Sequence, residues 1–166
     1  MSILSDRQLK RLLPVLIPEN MDYELVNPAS IDIRVGLELK EEVSGGVWRT
    51  VPIGRYSKEQ PYFFLPNQFI LVGTLETINV PREYVVEFKM KSTRAREGYD
   101  HSQSFWIDPG WCGVVTMELK NVTTCTTLPV YPGLKMGQIV VHKLSSTPEK
   151  LYCGKYQGAT TVQEAL

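Results

Sequence analysis

From Ser30 to Val35 the chain alternates without a break: Ser30, Asp32 and Arg34 are polar, Ile31, Ile33 and Val35 apolar. A period of two is the mark of a strand with one buried face. Alternation returns over Val85 to Met90 and over Val114 to Leu119, where Val114, Thr116 and Glu118 share one face and Val115, Met117 and Leu119 the other. Shorter β-rich runs occupy Trp48 to Pro52, Tyr62 to Leu65, Phe69 to Gly73, Thr77 to Val80, Thr127 to Tyr131 and Gln138 to Leu144. Gly45-Gly46, Pro66-Asn67 and Pro109-Gly110 punctuate them as turns. Many short strands separated by turn residues predict an antiparallel sandwich or barrel, not a βαβ fold.

Two stretches depart from this rhythm. Near the start, Leu9, Leu12, Leu13 and Leu16 fall at helical spacing behind Ser5-Asp6-Arg7-Gln8, a capping box. A short amphipathic helix covering one edge of the core is expected, ended or kinked at Pro14. At the other end, Tyr152 to Leu166 shows little periodicity and contains Gly154 and Gly158, which predicts a mobile tail or lid.

The 166 residues suffice for a single domain with its own core, and no internal repeat divides them. Eighteen basic residues balance eighteen acidic ones, so a nonspecific binder of nucleic-acid polymers is disfavoured, although one local phosphate site is not. Balanced charge leaves little colloidal repulsion and is compatible with self-association. No apolar run is long enough to span a bilayer, and the first residues lack the features of a secretory signal. Three cysteines, Cys112, Cys125 and Cys153, stand at no metal spacing. A reducing, cytoplasmic setting is the expectation.

Reactive side chains concentrate between Ser92 and Glu118, where a loop joins apolar runs. Two histidines, His101 and His142, and no Cys-x-x-Cys argue against zinc chemistry of the deaminase type. Neither common nucleotide-cradling glycine motif is present. Asp108 and Glu118 each have apolar neighbours; a carboxylate in a partly dry pocket becomes a usable base near neutral pH, whereas on an open strand face it is ordinary surface charge. Ser92, Thr93, Arg94 and Arg96 combine hydroxyls with guanidinium forks, which suits phosphate oxygens and equally suits a solvated loop. Lys155 and Gln157 lie in the tail and could close over a ligand, or simply belong to a disordered terminus.

Taken together, these pieces resemble the dCTP deaminase family of the dUTPase superfamily. The resemblance rests on Lys91-Ser92-Thr93-Arg94-Ala95-Arg96, then His101, Ile107-Asp108-Pro109-Gly110-Trp111 with Gly113, and Met117-Glu118-Leu119. Ala29 to Gly36, Thr74-Leu75-Glu76, Val80-Pro81, Pro132 to Gln138 and Gly154-Lys155-Tyr156-Gln157-Gly158 extend it almost from end to end. It implies a distorted β-barrel or jelly-roll-like subunit, a homotrimer, active sites between subunits, and zinc-free chemistry on a nucleotide carrying Mg²⁺. By position, Glu118 would activate water against C4 of cytosine; Ser92 would hold that water or the base; Arg96 would polarise the site and meet phosphate. Lys91 and Thr93 fall on phosphate-binding positions, and Tyr152, Lys155 and Gln157 on tail residues that fold over the nucleotide. Asp108 matches the aspartate that positions water for attack on the α-phosphate, so dCTP could be carried through dUTP to dUMP, with dTTP as an inhibitor. Trp106 leans toward that two-step type. Ser104, Phe105 and Arg94 depart from the family pattern. A dUTPase-type triphosphatase without deamination and an inactive nucleotide-binding regulator are the competing expectations.

Overall fold

The computed structural model describes residues 2–101 and 106–165; Ser104 and Phe105, two of the three departures, lie outside the described residues. In chain order the strands are β1 (Ser2–Ile3), β2 (Val26–Asn27), β3 (Ser30–Ser44), β4 (Val47–Pro52), β5 (Tyr62–Phe64), β6 (Phe69–Asn79), β7 (Tyr84–Met90), β8 (Tyr99–His101), β9 (Trp106–Ile107), β10 (Cys112–Asn121), β11 (Leu128–Val130) and β12 (Lys135–Lys143). Two α-helices, α1 (Asp6–Leu16) and α2 (Ser92–Glu97), complete the described elements together with one 3₁₀ turn at Tyr23–Leu25. No helix among the described residues is long and apolar enough to cross a membrane.

The expectation of a mainly antiparallel β fold holds. One large sheet runs β8-β10-β6-β3-β12-β7-β9, with β1, β2 and β4 attached, and β5 pairs separately with β11. β3 makes the curl possible. Its first residues, Ile31 to Arg34, pair with β12, whereas Val35 to Glu41 pair with β6 and Glu38 to Ser44 with β4. One long strand therefore belongs to both halves, with a register break between Val35 and Leu39 where it passes from one to the other. Ile31, Ile33, Val35 and Leu39 project into a core completed by Ile70, Val72, Met117, Leu119, Met136 and Ile139, all fully buried.

α1 starts where the capping box places it: the Ser5 N–H donates to Gln8 Oε1 at 3.1 Å and the Leu9 N–H to the Ser5 carbonyl at 2.8 Å. The expected break at Pro14 does not occur, since the helix continues to Leu16. Leu9, Leu13 and Leu16 are wholly buried and Ile17 nearly so. The Ile17 N–H still reaches the Leu13 carbonyl at 2.8 Å. Burying that stripe outweighs the one backbone bond and the ring crowding that an interior proline costs.

A buried carboxylate fastens the two halves. Glu76 is fully buried on β6, and its Oε1 accepts from Arg34 Nε at 2.7 Å while Oε2 accepts from the Arg34 N–H at 3.0 Å. Burial pushes its pKa up, against the pull of Arg34. Removing this acceptor leaves a guanidinium and a backbone amide of β3 without their partner. Glu76→Ala is therefore expected to lower stability by about 3 kcal/mol, read as a fall in the urea midpoint with an unchanged slope.

Candidate active site

The order of the curled sheet ends in β8 on one side and β9 on the other. β8 pairs with β10, setting His101 opposite Leu119, and β9 pairs with β7, setting Ile107 opposite Val86 and Trp106 opposite Glu87. A cavity of about 560 Å³ opens between these edges. Glu118, His101, Trp106, Ile107, Asp108 and Thr116 line it, along with an apolar wall of Trp48, Phe69, Leu71, Phe88, Trp111, Tyr152 and Tyr156.

Glu118 reaches this cavity because of register. Met117 and Leu119 are fully buried toward the core, so the intervening residue must face the other way. Glu118 stands opposite Leu71 on β6 and Lys120 opposite Phe69, so the carboxylate rises from an apolar floor. Near the start of β10 the ladder shifts between Val114 and Thr116. Here the simple alternation expected from the sequence fails: the Val115 N–H turns to Thr74 Oγ1 at 3.0 Å, and Val114, Val115 and Thr116 all border the cavity.

The electrostatics follow from burial. Glu118 Oε2 is buried and has no hydrogen-bond partner among the described residues; His101 Nε2 lies 3.5 Å away. Desolvation raises the Glu118 pKa to about 7, opposed only weakly by its own backbone amide. Desolvation likewise lowers His101 to about 4, so near neutral pH the imidazole is uncharged and this contact is not an ion pair. Phe88 stacks against His101 with ring centroids 4.7 Å apart, holding the imidazole at the cavity wall. A carboxyl poised between its two protonation states at neutral pH can take a proton from water and return it to a leaving group.

Asp108 sits at the rim, exposed, at the head of a tight turn in which the Trp111 N–H donates to its carbonyl at 3.1 Å. Gly110 has φ +88°, and a Cβ there would lie 2.7 Å from Leu151 Cβ, so the turn that presents Asp108 requires glycine on both counts. The tail runs along the same edge. The Tyr152 N–H donates to the Pro109 carbonyl at 2.8 Å, Gln157 Nε2 to the Gly110 carbonyl at 2.8 Å, and the Val114 N–H to the Ala159 carbonyl at 2.7 Å. The Tyr152 ring lies against Trp111 in a tilted contact with centroids 5.3 Å apart, and the Gln163 N–H donates to Thr116 Oγ1 at 3.0 Å. A Cβ on Gly113 would meet the Ala159 carbonyl oxygen at 2.8 Å, so that glycine lets the tail approach the strand.

Of the residues singled out in the sequence, Glu118, Asp108, Trp106 and Tyr152 meet at the cavity, and Gln157 ties the tail to its rim. Lys155 is exposed, with its ammonium 5.1 Å from the Tyr156 ring centroid. The others do not join them within one chain. Ser92, Thr93 and Arg96 are exposed on α2, and none lines the cavity. Lys91, at the N-cap of α2, holds Asp32 at 2.6 Å. Arg94, the departure on the same helix, pairs with Glu97 at 2.6 Å and lies 5.9 Å from the Tyr99 ring centroid, which gives it a local packing role. His101 is the site residue that residue-type reasoning passed over, and its signal was its place in the motif. The aromatic wall had no signal in the sequence, because it takes the pairing of β6 with β10 to bring Phe69 beside the Glu118 strand and the curl of the sheet to bring Phe88 of β7 to His101.

The site is thus a carboxyl with a pKa near neutrality in an aromatic cavity at the edge of a curled antiparallel sheet. The chain superposes on a 2'-deoxycytidine 5'-triphosphate deaminase from Agrobacterium tumefaciens with a TM-score of 0.69 at 20% identity, covering 84% of this chain and 47% of that one. It thus spans about half the length of that solved chain. At the sequence level, the dCTP deaminase-like family model matches residues 3–144, and the chain belongs to that family. Relatives named "dCTP deaminase, dUMP-forming" include one from Dictyoglomus thermophilum, 32% identical over 92% of this chain and 86% of its own, and one from Thermobifida fusca, 33% identical over 94% and 88%.

Proposed function

We propose that this chain deaminates dCTP to dUTP and carries the product on to dUMP and pyrophosphate. The single observation that carries the proposal is Glu118, a carboxyl held at a pKa of about 7 by a dry aromatic cavity. In the first step water adds to C4 of the cytosine ring and Glu118 takes one of its protons; that proton leaves with the 4-amino group as ammonia when the C4–N bond breaks, while the remaining proton of the new C4 hydroxyl passes to N3 as the C4 carbonyl of uracil forms. The neutral His101 imidazole keeps the neighbouring wall uncharged, so the Glu118 proton affinity is set by burial and not by an ion pair. In the second step Asp108 orients water for attack on the α-phosphate.

Ser92 and Arg96 complete the reading from a second copy of the chain in a homotrimer. Both project from an exposed helix, a position from which they can enter a neighbour's cavity. There Ser92 holds the water or the base and Arg96 supplies the charge that steadies the developing anion. Thr93 attends the phosphates from α2, which Lys91 holds against the sheet through Asp32; Trp106 and Tyr152 flank the nucleotide, and Lys155 and Gln157 belong to the tail that closes on it. Among the described residues no three of His, Cys, Asp and Glu converge on a metal position. Mg²⁺ fits as a companion of the triphosphate, held mainly by phosphate oxygens and water, and when bound it neutralises phosphate charge. dTTP would inhibit by entering the same cavity.

Incubation with dCTP and Mg²⁺, followed by chromatographic separation of dUTP from dUMP and assay of ammonia, tests the reading directly. Ammonia with dUMP is the expected result; no ammonia from dCTP would refute it. With Asp108→Asn, dUTP should accumulate, because hydrolysis slows by roughly 10²-fold or more while ammonia release continues. Loss of both activities in that variant would return Asp108 to a merely structural place in the turn.

A further inference from the structure

Helix α2 carries Ser92, Thr93 and Arg96, yet six residues are too few to hold a helix by themselves. Arg94 adds its pair with Glu97 and its contact with Tyr99; the rest of the helix's stability must come from its ends. At the far end the Val122 N–H donates to the Gly98 carbonyl at 2.9 Å, and Gly98 lies so close under Thr123 that a Cβ would stand 2.3 Å from its methyl group. At the near end Lys91 makes no side-chain capping bond. Its N–H donates to the Met136 carbonyl at 3.2 Å, and its Nζ reaches Asp32 Oδ1 at 2.6 Å.

Asp32 is only 3% exposed on β3, too deep to touch a nucleotide from the outside. It also accepts from Asn27 Nδ2 at 2.8 Å and stands 3.4 Å from Lys135 Nζ. Burial raises its pKa, but the bonds from Lys91 and Asn27, the Lys91 charge and Lys135 outweigh it and hold the carboxyl below its ordinary value. A lysine stem gives up rotamer freedom to lie against a sheet; Lys91 does so here with its side chain 26% exposed, aimed at this one carboxylate.

We infer that Asp32 is a positioning residue: by fixing Lys91 against the sheet it sets where α2 stands, and with it the reach of Ser92 and Arg96 into a second copy's cavity. The inference rests on the function proposed above for its catalytic consequence, though not for the clamp itself.

The two parts are tested separately on the intact protein. Hydrogen exchange of the unliganded protein reads the clamp. In Asp32→Asn, amides from 91 to 98 should exchange at least about tenfold faster, while β6 and β10 keep their protection. Lys91→Met should reproduce that change, and the double variant should add nothing to it. Lys135→Met removes the same charge beside the same carboxylate without touching α2, so it should leave exchange and turnover within about twofold of the parent. Lys91 and Lys135 can turn to water when Asp32 is lost, so the fold should survive. Steady-state kinetics reads the consequence: kcat for dCTP should fall about 10–100-fold in Asp32→Asn, with KM moved by less than about threefold. Unchanged exchange at 91–98, exchange that speeds equally in every strand, additive effects in the double variant, or loosening without loss of kcat would each overturn the inference. Should the parent release no ammonia from dCTP, the functional reading fails, and exchange alone still decides whether Asp32 clamps α2.

Discussion

Glu118→Gln is expected to lower ammonia release from dCTP by roughly 10²–10⁴-fold, the usual range for removing a general base. Gln keeps the size and polarity of the side chain and cannot accept a proton, so KM for dCTP should change little. In the parent, kcat/KM should rise with pH through about 7, because only the ionised carboxylate takes a proton from water. Stability should move the opposite way. The folded pKa of Glu118 lies above its ordinary value of 4.5, so the neutral form is the one the fold prefers. Its stabilising contribution is complete below pH 4.5 and is lost as pH rises through about 7. Glu118→Gln should therefore match the parent at acid pH and exceed it by up to about 3 kcal/mol well above neutrality, since each tenfold change in proton affinity is worth about 1.4 kcal/mol. A variant that stays active, or that is less stable than the parent at alkaline pH, would mean that this carboxyl is an ordinary surface group.

Parts of this architecture can be read from residue order, and parts depend on contacts that order does not encode. Alternation located β3, β7 and β10, because a face that packs on a core must be apolar at every second position. It understated β3: beyond Val35 the strand reaches Ser44, but Glu41 is buried where alternation calls for an apolar residue, and Leu37 and Val43 are exposed, so the pattern fades. The β-rich run Phe69 to Gly73, continued by Thr77 to Val80, is a single strand, β6, from Phe69 to Asn79, with the buried Thr74 and Glu76 inside it. Two polar residues in a row of strand positions look like a loop until Arg34 and Val115 are seen to bond them. The segment Ser92 to Glu97 reads as a polar loop by composition, yet it forms a helix fixed from both ends. At the site, Glu118 and Asp108 stood out because charge beside apolar neighbours is visible locally. The cavity wall did not, since Trp48, Phe69 and Phe88 come from three strands whose register is a tertiary fact. The tail was legible as irregular, but its path along β10 is set by Gly113 and by the bonds at Val114 and Thr116.

Mixing two inactive variants should restore activity if the site is shared between copies. Arg96→Ala is expected to lose roughly 10²–10³-fold in kcat through the missing positive charge, and Glu118→Gln loses its base. Neither substitution touches the core, since Arg96 is exposed on α2 and Glu118 faces the cavity. In a closed ring with shared sites, each cavity would draw Glu118 from one chain and Arg96 from its neighbour. When the two variants are unfolded together in equal amounts and refolded, a cavity is competent only if its own chain is Arg96→Ala and the donor of α2 is Glu118→Gln. Random assembly meets both conditions in about a quarter of cavities, so about a quarter of the parent activity should return. If every cavity used its own α2, each would lack one of the two groups, and mixing would return nothing. Refolding each variant alone gives the baseline, and light scattering on the mixture establishes that copies have exchanged. Recovery near a quarter would also explain why one chain keeps Ser92 and Arg96 away from its own Glu118: the helix that holds them is built to face outward, with its ends anchored at Lys91 and Gly98 and its reactive face left for a neighbour.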